Sequence, residues 1–356
     1  MISQIAVSDR LHRPLQSLRL SLTARCNLAC PYCLPDHQEL PGLLDQAQRL
    51  ALITAACSLG VRRLRLTGGE PLLSSGLESL LAAVQSRRLE PADPLSNLLE
   101  VTLTSNGLLL SEDRAKALKL AGLDRITISL DGTDGISVAE MTGQQGGESS
   151  GAQILHRVLE AIRAARSAGF DPARGALKLN SVIQRGRNEQ QVLPLASLAR
   201  NEGLELRLIE YMDVGNRNGW TPEAVFTAEE MVRRIDAVWP LVHQGRSQAS
   251  TARRWRYQDG AGWIAVVASI SDPFCNGCNR LRLTADGMAY TCLFAEHGTS
   301  LRPWLVPEID AEGLMCALAD LWQARRDRYS EQRLSADGSQ PSSDLTARQE
   351  MAYLGG

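Results

Sequence analysis

Apolar residues recur along this chain with two periods. Short aliphatic runs, continuous or alternating, occupy 18–23, 64–67, 100–104, 125–130, 176–183 and 206–212, and their length and composition predict strands. Between them, 43–60, 111–122, 154–169 and 188–203 carry apolar residues at helical spacing and close on Gly60, Gly122, Gly169 and Gly203, as left-handed cap residues do. Strands alternating with helices imply parallel β/α units. Six such units fall short of the roughly eight of a closed barrel, so the fold class expected is α/β, a partial TIM-type barrel.

After about residue 240 the alternation stops. Strand-like runs meet at Asp259-Gly260 and again at Asp286-Gly287, which are hairpin signals. A smaller α+β carboxyl-terminal region closing the barrel is expected, with hairpins followed by a helix over 311–329. The division is 1–240 for the barrel and 241–356 for the extension. Two Gly/Ser-rich patches, 142–151 and 335–343, read as surface loops.

In such folds chemistry gathers at the carboxyl ends of the strands. Those ends read Thr23-Ala-Arg25, Thr67-Gly68-Gly69-Glu70, Thr104-Ser105-Asn106-Gly107, Ser129-Leu-Asp131, Asn180 and Glu210-Tyr-Met212. One such residue is an ordinary turn residue; six polar or glycine-bearing ends together point to a ligand.

The 356 residues carry 38 basic and 40 acidic side chains, which removes a global electrostatic case for nucleic acid or an acidic membrane as partner. No window approaches the ~18 consecutive apolar residues of a membrane span, and the opening MISQIAVSDRLHRPLQ has no apolar secretory segment. A cytoplasmic protein is expected.

Of eight cysteines, six form two triplets. In a cytosolic chain of this size, metal or cluster ligation is favoured over a disulfide framework. Cys26, Cys30 and Cys33 follow the first strand as C-x3-C-x2-C. Three thiolates on one loop can hold three corners of an iron–sulfur cube and leave one iron open. Zinc is the alternative, with His37 as a fourth ligand. Cys275, Cys278 and Cys292 form C-x2-C-x13-C; a zinc ribbon would need a fourth ligand, and Cys316 lies in a helical run where a buried thiol is expected, like Cys57.

The first triplet, with Tyr32 before its last cysteine, resembles the radical S-adenosylmethionine (SAM) superfamily. The resemblance implies a [4Fe–4S] cluster on these thiolates, SAM chelating its open iron, and reductive cleavage of SAM to a 5′-deoxyadenosyl radical. It also implies SAM contacts from Tyr32, from Gly68, Gly69 and Glu70 of the GGEP turn, and from Ser129 and Met212.

Both triplets together, the second followed by Asn-Arg280-Leu281-Arg282, resemble the GTP 3′,8-cyclase family of molybdenum cofactor biosynthesis over nearly the whole chain. LRLSLTARCN, RLRLTGGEPLL, LKLNSVIQRGRN, LRLIEYMDVGNRNGW and the terminal Gly355-Gly356 carry that likeness. It implies a second [4Fe–4S] cluster whose open iron meets guanine, and GTP contacts from Arg19, Arg65, Thr104, Lys178, Arg280, Leu281 and Arg282. Arg207, Asn106, Gly355 and Gly356 join that set less directly. Where the family has a second Thr, this chain has Ser105. Physical chemistry points the same way, since guanidinium forks suit a triphosphate.

The implied reaction is that of a lyase: hydrogen abstraction from the ribose 3′ carbon, addition to guanine C8, and (8S)-3′,8-cyclo-7,8-dihydroguanosine 5′-triphosphate as product. It implies an external one-electron reductant and a downstream cyclic pyranopterin synthase, and leaves a homodimer open. Two alternatives remain at this point, a radical SAM peptide-modifying or activating enzyme with an auxiliary cluster and a zinc-ribbon nucleic-acid module.

Overall fold

The structure is a computed structural model that describes residues 6–35, 38–215, 217–246, 250–335 and 348–355. The six expected strands form β1 (Ser17–Ser21), β2 (Arg63–Thr67), β3 (Glu100–Ser105), β4 (Arg125–Ser129), β5 (Leu177–Ile183) and β6 (Glu205–Glu210). Helices α1 (Gln46–Ser58), α2 (Leu77–Arg88), α3 (Glu112–Leu120), α4 (Gly135–Thr142), α5 (Gly147–Ser167) and α6 (Val192–Asn201) connect them. After β6 come α7 (Ala228–Asp236), β7 (Leu241–Gly245), β8 (Arg253–Tyr257), β9 (Trp263–Val267), β10 (Arg280–Leu283), β11 (Met288–Tyr290), β12 (Thr299–Ser300), α8 (Ala311–Ala324), α9 (Tyr329–Ser335) and α10 (Met351–Leu354).

All twelve strands belong to one sheet, ordered β12-β11-β10-β1-β2-β3-β4-β5-β6-β9-β8-β7. β10 pairs parallel with β1, and β9 pairs parallel with β6. Each carboxyl-terminal hairpin therefore lends one strand to a rim of the barrel and turns its other strand outward. The parallel run extends from β10 to β9 and does not close by hydrogen bonds, so the partial barrel expected from the pattern is what forms.

Local chemistry explains the boundaries. Asp45 and Gln48 cap α1 reciprocally, and Thr227 and Glu230 do the same for α7, which satisfies orphan amide donors at each start. Leu18, Leu20, Leu64, Leu66, Leu103, Ile126, Ile128, Leu179, Leu206 and Leu208 are buried between sheet and helices. The alternate strand positions are left to point into the barrel.

Four expectations change. Of the patch 142–151 only 143–146 is a loop: Thr142 ends α4 and Gly147–Gly151 is the first turn of α5. A Cβ on Gly151 would lie 1.8 Å from the carbonyl oxygen of Gly135, so the glycines there let two helices touch by backbone. The helix expected over 311–329 stops at Ala324, because Arg325 turns extended (φ −60°, ψ 133°). Cys316 is exposed, not buried, since α8 directs Leu314, Leu318 and Trp322 inward. The run 188–203 becomes regular only at Val192, after a short turn over Glu189–Gln191. Residues 336–343 of the second patch, His37 and Gly356 lie outside the described residues. Among those described, no helix is long and apolar enough to cross a membrane.

Candidate functional site

One cavity opens at the carboxyl ends of the strands, and all six triplet cysteines line it. The loop after β1 turns tightly: the amides of Cys33 and Leu34 both donate to the Cys30 carbonyl, at 3.0 and 2.9 Å. The GGEP turn after β2 packs on that loop by backbone alone, Gly69 N donating to Thr23 O and Glu70 N to Arg25 O, both at 2.8 Å. A Cβ on Gly69 would sit 2.2 Å from Arg25 O, so only glycine permits the contact.

Glu70 is fully buried and accepts from Leu72 N at 3.0 Å, Ser105 Oγ at 2.8 Å and Asn106 N at 2.7 Å. It thereby fixes Asn106, whose amide reaches Asn27 Oδ1 at 2.7 Å and Cys26 Sγ at 3.8 Å. Tyr32 donates to Asp131 Oδ2 at 2.6 Å, while Asp131 Oδ1 accepts from Val182 N at 2.7 Å. Burial pushes the Asp131 carboxyl up to about 6, against the bonds from Tyr32 and Val182.

The second triplet stands on a short turn, Cys275–Gly277, with Cys278 N bonded to Cys275 O at 3.1 Å, and on the segment after β11. Burial raises Cys30 well above the ordinary thiol value, helped by Cys33, and raises Cys33 and Cys292 to about 12. Cys278 is the exception, because Arg280 and Arg325 outweigh its burial and bring it down to about 6.

Cationic groups form a row beneath the thiols. Strand register places Arg282 beside Arg19 and Arg19 beside Arg65 on three adjacent parallel strands. Arg19, Arg65, Arg207, Arg280 and Arg282 all line the cavity. Burial lowers Arg19 well below its usual value, with Arg282, Arg65 and Arg280 adding to it. Arg65 falls to about 9 and Arg282 to about 10 for the same two reasons. Since an arginine keeps its proton in proteins, this means an electrostatically strained set that an anion would relieve. The buried Thr104 Oγ1 and Asn180 Oδ1, both on the cavity wall, have no hydrogen-bond partner among the described residues, and buried polar atoms are seldom left so.

Tyr32, Gly68, Gly69, Glu70, Ser129, Met212, Thr104 and Asn106 also line the cavity. Among the described residues, three of the expected GTP contacts do not: Leu281, Lys178 and Gly355. Leu281 points into the core, leaving only its backbone on the cavity side. Lys178 lies deeper, its Nζ bonded to Glu205 Oε1 at 2.9 Å, and Arg207 and Arg254 approach the same carboxylate at 3.3 and 2.7 Å.

The chain end enters from the side. Arg282 Nη1 donates to Leu354 O at 3.4 Å and Gly355 O at 3.1 Å. Arg348 pairs with Asp213 at 3.2 Å, and Tyr353 donates to Asp286 at 3.1 Å. Asp131 and Asn180 stand at strand ends that the pattern marks without giving either a role, whereas the Arg325 group beside Cys278 carries no sequence signal.

The donor sets fit iron–sulfur clusters. Each triplet sets three cysteines on the cavity wall, near enough for their charges to act on one another. Among the described residues, no three His, Cys, Asp or Glu groups converge on a single ion's position.

Known proteins resemble this chain in sequence and in fold. The family described as the radical SAM superfamily matches residues 20–199, and that described as Molybdenum Cofactor Synthesis C matches 204–331. A GTP 3′,8-cyclase of Synechococcus sp. (strain CC9605) is 57% identical over 356 residues, covering 100% of both chains. That of Xanthomonas axonopodis pv. citri (strain 306) is 43% identical over 92% of this chain and 94% of its own. Among solved structures, Streptococcus suis SuiB bound to S-adenosylmethionine superposes with a TM-score of 0.60 at 14% identity, over 95% of this chain and 73% of SuiB, a likeness of fold alone. By sequence over its full length, the chain belongs to the GTP 3′,8-cyclase family of radical SAM enzymes.

Proposed function

We propose that this cavity binds SAM beside Cys26, Cys30 and Cys33 and GTP beside Cys275, Cys278 and Cys292, so that the chain acts as a lyase forming 3′,8-cyclo-7,8-dihydro-GTP. The observation that carries the reading is the placement of both thiol triplets on one cavity above a register-aligned row of arginines. A [4Fe–4S] cluster on each triplet would supply, respectively, the electron that cleaves SAM and an open iron for the guanine base. The residues themselves bind, orient and exclude water. Tyr32, held by Asp131, and the Gly68-Gly69 turn shape the SAM side, with Ser129 and Met212 across the barrel.

Arg19, Arg65, Arg280 and Arg282 face the triphosphate, Thr104 offers an unpartnered hydroxyl, and Lys178 and Arg207 act from the Glu205 cage below. The tail as far as Gly355 lies against Arg282, and a GTP contact from Gly356 belongs to the same reading. Holding two reacting carbons near contact in a dry site is the main contribution a protein makes to such a reaction. An external one-electron reductant and a downstream enzyme that consumes the cyclic nucleotide, a cyclic pyranopterin synthase, belong to the same reading.

The test is anaerobic reconstitution with SAM, a reductant and a panel of nucleoside triphosphates, followed by mass analysis. About eight irons per chain, deoxyadenosine and a cyclic product from GTP alone are expected. Cys275→Ser, Cys278→Ser and Cys292→Ser should retain SAM binding and lose the cyclic product. Normal product formation by these variants would refute the role of the second triplet.

A further inference from the structure

Beside the second thiol set lies a largely buried ion network that the proposed function does not use, with Arg325 and Asp327 themselves on the cavity wall. It is assembled from three distant segments: Asp9 and Arg13 before β1, the Cys275–Cys278 turn, and Arg325 with Asp327 after α8. Arg13 Nε pairs with Asp9 Oδ2 at 2.5 Å, and both side chains are at most 2% exposed. Arg13 Nη1 donates to Cys275 O and to Asp327 O, each at 2.9 Å.

Arg325, with a side chain 1% exposed, donates from Nη1 to Cys278 O at 2.7 Å and from Nη2 to Cys278 Sγ at 3.2 Å. Its Nη2 and Nε bind Asp327 at 2.9 and 3.1 Å, its Nη1 lies 3.7 Å from Asp9 Oδ2, and its plane covers Trp322 at 4.6 Å. Thr291 Oγ1 holds Asp327 from the other side at 2.8 Å. Every edge of the guanidinium is committed, and one edge is aimed at sulfur.

We propose that Arg325 is a positioning residue for the second cluster, donating an N–H···S hydrogen bond to the Cys278 thiolate that sets its orientation and raises the reduction potential of the cluster it binds. The inference rests on the reading of Cys275, Cys278 and Cys292 as cluster ligands. A donor on a ligating sulfur stabilises the more negative, reduced state, and hydrogen bonds to sulfur are among the levers that set such potentials. Only arginine reaches a carbonyl, a sulfur and a carboxylate at once with a rigid fork.

Among the described residues the first triplet meets neutral donors: Leu28 N at 3.5 Å and Asn106 Nδ2 at 3.8 Å on Cys26 Sγ, and the Tyr32 hydroxyl beside Cys30. Arg13 provides an internal comparison, because it bonds the Cys275 carbonyl and not a sulfur.

The experiment is an EPR-monitored redox titration of the reconstituted full-length protein, with and without SAM to separate the two clusters, on wild type, Arg325→Gln, Arg325→Lys and Arg13→Lys. Iron is counted in each. In Arg325→Gln the second-cluster potential should fall by about 59 mV or more, a tenfold change in a one-electron equilibrium. Arg325→Lys should fall by less, Arg13→Lys should not shift, and the first cluster should stay unchanged in all.

An unshifted potential in Arg325→Gln would overturn the proposal, as would an equal shift in Arg13→Lys, which would mark a general effect of the network. Loss of the second cluster from Arg325→Lys, with the first intact, would also overturn it, since the role would then be assembly. Wild type holding only about four irons would instead remove the cluster reading on which the proposal stands, a result separable from the others by the count alone.

Discussion

Glu70 poses a choice between two opposed effects, and the structure decides which wins. Its carboxyl is fully buried, and burial raises its pKa, opposed by bonds from Asn106, Leu72 and Ser105. By burial alone, an isosteric neutral side chain should be harmless or stabilising. But the carboxylate is an acceptor for three donors, two of them backbone amides with no alternative. Glu70→Gln turns an NH2 group against one of those amides, and a buried donor left unpaired costs about 1–3 kcal/mol. Glu70→Ala abandons both amides; Ser105 can rotate away, so the expected cost is about 2–6 kcal/mol before any cavity is counted.

The assay is urea unfolding of the cluster-free chain at neutral pH. Gln is expected to lower the midpoint at unchanged slope, and Ala to lower it about twice as far. Iron retention by the first triplet should fall in the same order, because Asn106 N hangs on Glu70 while its side chain reaches Cys26. A Gln variant as stable as wild type, with full iron, would refute the reasoning: Glu70 would be a protonated group whose donors contribute nothing.

Other outcomes follow from the same geometry. Burial brings the Lys178 ammonium down to about 8, against the pull of Glu205, from an ordinary 10.5. The unfolded chain then holds this proton longer, so stability should rise with pH between about 8 and 10.5 on its account; Lys178→Met should erase that slope in thermal unfolding across this range. Gly69→Ala must open the 2.2 Å approach to Arg25 O and should lose SAM binding in equilibrium dialysis while the second triplet keeps its iron. Arg348→Ala strips a buried partner from Asp213, a change that costs about 3–5 kcal/mol where the remaining charge stays buried. The local consequence is release of the tail, read as faster carboxypeptidase digestion of the carboxyl terminus.

Much of this molecule is legible from local pattern. A strand with Leu at alternate positions announces both its core face and, by default, the face left for a ligand, so β1, β2 and β10 disclose Arg19, Arg65, Arg280 and Arg282 together. The cysteine spacings are likewise local, since one loop must carry three thiols within a few residues. The barrel's rims were not legible. β8–β9 and β10–β11 read correctly as hairpins, but nothing in their residues says that β9 pairs with β6 and β10 with β1. Parallel partners are chosen by the whole sheet. Gly147–Gly151 misled for a related reason: its glycines signal a loop unless one knows that Gly135 lies against them.

Arg325 marks where local reading ends. It sits 47 residues from Cys278, in a run whose periodicity predicts continued helix, and its own composition signals nothing. Burying an arginine beside a sulfur is unfavourable unless each remaining donor finds an acceptor, and those acceptors come from Asp9, Asp327 and Cys278 O. The helix stops at Ala324, and the extended backbone at Arg325 accompanies a guanidinium that meets all three. The break that the pattern missed and the sulfur contact that it could not foresee are one event: the network that ends α8 is also the network that aims Arg325 at the thiolate. Relieving it with Arg325→Gln should therefore change two readouts at once, the second-cluster potential and amide exchange over 325–327, and a change in either alone would separate them.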